Sequence, residues 1–106
     1  MEIVFTRIAK LTYKDILENL KERWTIKEVR HFIILTEEFL KNIESGQIES
    51  PVINKSLNIQ KGFVHKNVSL FYIRNQEEQK IYLLTFFDNR MNPETLDRLL
   101  NIQKKP

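Results

Sequence analysis

The sequence predicts an α+β fold in the order β-α-α-β-β-β-α, with an antiparallel sheet packed against an α-helical hairpin. Three observations carry that expectation. Two successive stretches place apolar residues at helical spacing, the period shortens from about 3.6 to 2 after Ser50-Pro51, and Asn92-Pro93-Glu94 opens a further helix. The 106 residues suit one domain spanning 1–106, and 42% hydrophobic content, with seven Phe and three Tyr, can close a compact core. Two Gly and three Pro leave little material for a flexible linker.

Ile3-Val4-Phe5 is a short apolar run and reads as a first strand. Ala9, Tyr13, Ile16, Leu17, Leu20 and Trp24 then recur at helical intervals, with Lys14, Glu18, Lys21 and Glu22 opposite, which predicts a helix over 9–24. Trp24 completes its apolar face and is assigned to the core. Thr25-Ile-Lys-Glu28 is a capping box, so a second helix over 26–45 begins at once. Val29, Phe32, Ile33, Thr36, Phe39 or Leu40, and Ile43 form its inner face, and Gly46 suits the left-handed residue that ends it. Two long helices with almost no loop must fold back on each other.

Beyond Pro51, Ile59, Phe63 and Val64 mark one strand, Val68–Arg74 a second and Lys80–Phe87 a third, the last apolar enough to be central. The breaks at Lys66-Asn67 and 75–79 are short and polar, which predicts antiparallel hairpins. Asn92 caps the final helix with Pro93 in its first position, and Leu96, Leu99 and Leu100 form its apolar side. The helices are expected on one face of the sheet. Core positions should include Tyr13, Leu20, Ile33, Leu40, Leu70, Ile73, Leu83 and Phe86.

Composition narrows the function. There is no Cys, which excludes a disulfide framework and thiolate metal sites. No apolar run approaches the ~20 residues that span a bilayer, and residues 1–7 carry no export signal, so a cytoplasmic chain without membrane contact is expected. The net charge of +3 is unevenly spread: residues 1–58 hold nine Lys/Arg and nine Asp/Glu, residues 59–106 eight and five. From Ser50 to Gln76 there are Lys55, Lys61, His65, Lys66 and Arg74 but no carboxylate, a composition that attracts phosphate or an acidic protein segment.

Two isolated glycines cannot build a phosphate loop, and neither Ser-x-x-Lys nor G-x-S-x-G occurs. His31 has no second ligand at helical spacing, so it reads as a surface or half-buried helix residue; no metal and no cofactor are expected. What remains is a set on or just beyond the last three strands: Lys61, His65, Tyr72, Arg74, Asp88 and Arg90. If these share a sheet face, a base could activate a ribose 2′-OH while Arg or Lys stabilised charge on phosphorus, cleaving RNA without a metal. The plainer alternative makes Tyr72 core, Arg74 a solvated strand end, and Arg90 half of an ion pair with Asp88 or Glu94. A third class is a basic nucleic-acid-binding or adaptor domain, with Phe63, Phe71, Tyr72 or Tyr82 as stacking aromatics.

Lys66-Asn-Val-Ser-Leu-Phe-Tyr-Ile-Arg74 and Leu83-Leu-Thr-Phe-Phe-Asp-Asn-Arg-Met-Asn-Pro93 resemble the closing strands of the RelE/ParE toxin family. The short first strand, the helical hairpin opening at Ala9, and Pro51 before the sheet also fit its plan, so the likeness covers nearly the whole layout. The resemblance implies the toxin of a type II toxin–antitoxin module, of the plasmid-stabilising kind, neutralised by a cognate antitoxin with an acidic segment. One branch cleaves mRNA on the ribosome and the other poisons DNA gyrase. Arg90 falls on the Arg that ends the last strand in the nuclease branch. Ser69, however, stands where that branch carries Arg, residues 91–95 lack its Tyr, and helices of about 16 and 20 residues suit the ParE branch better. The resemblance therefore implies gyrase as target, with mRNA cleavage as the alternative. Arg90, His65, Lys61 and Arg74 are the candidate catalytic residues for a nuclease, and Lys61, His65, Lys66, Arg74 and Arg90 the candidates for binding antitoxin or target.

Overall fold

A computed structural model of the chain describes residues 1–104, with side chains through residue 101. Thr6 ends β1 (Glu2–Phe5) and caps α1 (Arg7–Arg23). Its Oγ1 accepts from the Ala9 amide at 3.2 Å and donates to the Leu83 carbonyl at 2.7 Å. One hydroxyl thus satisfies an orphan amide and ties the helix to the sheet. This cap starts α1 two residues before Ala9, where the sequence places the start of the helix. Thr25 then opens α2 (Ile26–Ser45): its side chain accepts from the Glu28 amide, and the Glu28 carboxylate accepts from the Thr25 amide, the capping box seen in the sequence. Gly46 closes α2 at φ 81°, as its position predicts.

The sheet has five strands in the order β1-β5-β4-β3-β2, with β2 (Val52–Asn54), β3 (Ile59–His65), β4 (Val68–Asn75) and β5 (Lys80–Asp88). The β3–β4 and β4–β5 hairpins are antiparallel as expected, and β5 is an interior strand between β1 and β4, although the middle strand of the five is β4. β2 was not anticipated: three residues are too few to show a period. β1 also departs from expectation by running parallel to β5, Ile3 opposite Ile81 and Phe5 opposite Leu83. A parallel neighbour needs a long crossover, and the chain between the two strands supplies one.

α3 (Pro93–Lys104) corrects the expectation that all helices share a face. The hairpin covers Val64, Leu70, Tyr72, Leu83 and Phe86, whereas Leu96 and Leu100 of α3 pack with Ile59, Phe71, Leu84 and Phe87 on the opposite side. β5 is apolar on both faces, so each face needs cover. Of the expected core residues, Leu20, Leu70, Leu83 and Phe86 are buried, and Tyr13, Ile33, Leu40 and Ile73 pack half-buried against the two clusters. No helix of the described residues is long and apolar enough to cross a membrane.

Candidate functional site

The residues singled out on the last three strands do not converge as one set. Lys61 lies on the α3 side, its Nζ 5.2 Å from the Phe63 ring centroid and 5.9 Å from that of Phe71. Arg74 is committed at the C-terminal end of α2, where Nη2 donates to the Ile43 carbonyl at 2.9 Å and Nη1 to Met1 Sδ at 3.7 Å. It adds a second donor to a carbonyl that already accepts the Gly46 amide at 3.3 Å at the end of the helix. Tyr72 is fully buried against Phe39, with its hydroxyl accepting from the Ser50 amide at 3.3 Å. Of the four aromatics considered for stacking, Phe71 and Tyr72 are buried and Tyr82 half-buried, which leaves Phe63 exposed.

A bulge explains the separation. In an unbroken strand Lys61, Phe63 and His65 would share a face. The β3–β4 register slips between Phe63 and His65, and His65 turns to the hairpin side. There its ring lies 5.1 Å from that of Trp24 and 5.9 Å from that of Phe32.

His65 and Arg90 do meet, at a groove of about 710 Å³ at one end of the molecule. Trp24 and Thr25 from the α1–α2 junction, and Lys27, Glu28 and His31 from the first turns of α2, form one wall. His65, Lys66 and Asn67 from the β3–β4 turn, with Arg90 from beyond β5, form the other. The Ile43 end of α2, where Arg74 sits, is roughly 20 Å away along the helix at ~1.5 Å per residue. Three formal cations face one carboxylate, and that carboxylate, Glu28, is engaged in the capping box.

The rim is held from both sides. The Asn89 amide donates to the Asn67 carbonyl at 2.8 Å, and the Ser69 hydroxyl to Asn89 Oδ1 at 2.9 Å, joining the β3–β4 turn to the end of β5. Asp88 takes Arg90 in bidentate fashion, Nε to Oδ1 at 2.9 Å and Nη2 to Oδ2 at 2.7 Å, the one ion pair among the described residues. Of the two ion pairs considered from the sequence, the Asp88 pair is the one that forms. The Arg90 hydrogen bonds outweigh burial and hold the Asp88 carboxyl below its ordinary value. Burial first, then Lys66, His31 and Arg90, hold His65 below the ordinary histidine value, with Asp88 opposing. The Asn67 amide donates to His65 Nδ1 at 3.2 Å. Neutral His65 therefore carries its proton on Nε2, and its Nδ1 lone pair is engaged by the Asn67 amide.

No residue of the α-helical wall is a site candidate in the sequence, where Trp24 reads as core, Thr25 and Glu28 as a cap, and His31 as a surface or half-buried helix residue. A signal was present: His31 follows Lys27 by four residues and Glu28 by three, the spacing of one helix face, and Trp24 stands just ahead of that helix. Among the described residues no group of three or more His, Cys, Asp or Glu gathers to hold a metal ion.

No protein-family model matches this chain, and no curated protein sequence matches it at a significant level. Among solved structures it is similar to a metal-bound toxin from Helicobacter pylori, with a TM-score of 0.62 and 14% identity over 85% of this chain and 96% of the other. At that identity the likeness is one of fold, and it extends over nearly the whole of that toxin.

Proposed function

We propose that this chain is the toxin of a type II toxin–antitoxin module of the RelE/ParE kind, which arrests growth by a ParE-like action on DNA gyrase and is silenced by an acidic antitoxin. The observation that carries the reading is the fold shared with a bacterial toxin over 96% of that toxin's length, taken with the closing strands and Asp88-Asn89-Arg90 turn in the sequence. Binding is favoured over cleavage by the site. Lys61 and Arg74 stand apart from His65 and Arg90, and His65 Nδ1 is already taken by the Asn67 amide. What the groove offers is positive charge on a rigid rim, the kind of surface that grips an acidic protein segment. The Ser50–Gln76 stretch ends in two strands of this sheet and contributes His65 and Lys66 to the groove, so an antitoxin covering it would reach the site.

The second reading, ribosome-dependent mRNA cleavage, draws on one observation: an exposed imidazole, His31, stands in the same groove as Arg90 and Lys66. Induced expression in bacteria tests both. Growth arrest that is relieved by the product of the neighbouring reading frame, with loss of gyrase supercoiling in extracts and intact mRNA by primer extension, is the expected outcome. Codon-positioned cuts would transfer the assignment to mRNA cleavage, and unimpaired growth would end the toxin reading.

A further inference from the structure

We propose that His65 is a proton-operated switch in the groove: protonation frees it from the Asn67 amide and makes the groove hold a carboxylate-rich protein segment more tightly. The inference rests on the reading of the groove as a partner surface and adds its regulation.

The geometry around the imidazole supplies the argument. His65 Nδ1 accepts the Asn67 N–H at 3.2 Å, so a proton on Nδ1 would set two donors against each other and break that bond. The turn would not collapse, because the Asn67 carbonyl remains tied to the Asn89 amide at 2.8 Å. The charged groups beside the ring are Lys66 on its own turn, His31, Lys27 and Glu28 across on α2, and Asp88 and Arg90 at the end of β5. Both carboxylates are occupied, Glu28 by Thr25 and Asp88 by Arg90. An imidazolium here would have cations nearby and no unengaged carboxylate, so an arriving one becomes its natural partner. By linkage, a ligand that favours the protonated form binds more tightly as pH falls through the imidazole's pKa, and binding takes up a proton.

An acidic peptide fits better than nucleic acid because Trp24 is not a free stacking platform. Its indole packs against the core and against the His65 ring, 5.1 Å between centroids.

Trp24 is the chain's one tryptophan, so it reports on its neighbour directly. In the purified chain, lowering pH from about 8 to 5 should quench Trp24 emission, with a midpoint below the ordinary histidine value of about 6.5. Hexaglutamate, whose carboxylates stay ionised above about pH 5.5, should bind about fivefold more tightly at pH 5.5 than at 7.5 and move the midpoint upward. His65→Gln should remove the quench and flatten the pH dependence. Should that variant lose its native circular dichroism spectrum, the His65 Cε1 proton shift followed by NMR in the unaltered chain reads the same titration. The proposal is overturned if a folded His65→Gln keeps the transition, if peptide affinity is independent of pH, or if hexauridylate moves the midpoint more than hexaglutamate. These measurements need no toxicity, so failure of the switch and failure of the toxin reading give separate results.

Discussion

Arg90 is held by Asp88 yet half in solvent, with side-chain exposures of 46% and 18% for the two partners. Exposed pairs of this kind contribute about 0–1 kcal/mol, since solvent screens them and two side chains lose rotamer freedom. Arg90→Ala should therefore lower the melting temperature by no more than a few degrees. It also removes the one guanidinium among the described residues that line the groove, so growth arrest should be lost. Thermal melts beside a plating assay separate the two effects; full toxicity in Arg90→Ala would move the search to the outer face of the hairpin. Gly62 makes the opposite case, a residue with structural weight and no place in the groove. A Cβ there would collide with Phe39 Cζ and come within 2.7 Å of Ser50 Oγ, both on residues buried against the sheet. Gly62→Ala should cost about 1–3 kcal/mol of stability in urea unfolding, because overpacking forces Phe39 off its rotamer. Nothing in the sequence around Gly62 announces this, since the colliding ring comes from 23 positions earlier in the chain.

At the scale of elements, what local chemistry decides was legible and what distant partners decide was not. The capping box at Thr25, the left-handed Gly46 and the Asn92-Pro93 helix start each satisfy backbone groups within four residues, so the sequence carries them whole. The capping box also sets where α2 begins and therefore where Lys27 and His31 stand in the groove. Thr25→Ala should cost about 0.5–2 kcal/mol by denaturant unfolding, and Thr25→Ser should recover most of it. The parallel pairing of β1 with β5 depends on 75 or so intervening residues of fold, and a four-residue strand cannot state its partner. The bulge before His65 was likewise silent, because period 2 continues through Phe63 and the slip is set by pairing with β4. That one slip parts Lys61 from His65 and dissolves the catalytic set that strict alternation implies. α3 was placed correctly in sequence but on the wrong face, although the apolar run of β5, interrupted only by Thr85, already called for cover on both sides.

The whole molecule responds to acid through two groups whose pKa values move in the same direction for different reasons. His65 is held below the ordinary 6.5 by burial and by Lys66, His31 and Arg90, so its neutral form is the one the folded state prefers. Between that folded value and 6.5 the unfolded chain binds the proton first. Stability therefore rises with pH in this window, and its His65 contribution begins to fall as pH drops below about 6.5. Asp88 is held below 3.8 chiefly by the Arg90 side chain, so the folded state prefers its charged form. Its contribution is present above about pH 4 and is lost as pH falls through the lower folded value. Melting temperature should accordingly decline in two stages, a first as pH falls from about 6.5 towards the lower folded value of His65 and a second below about 4. His65→Gln should flatten the first stage and leave the second, whereas Asp88→Asn should remove the second. An acidic ligand in the groove should shrink the first stage, because it stabilises the imidazolium that the neighbouring cations oppose. The decisive measurement is melting temperature against pH with and without hexaglutamate. Parallel curves would mean that the groove's charge and the stability of the fold are independent, and divergence below about pH 6.5 would show them coupled through His65.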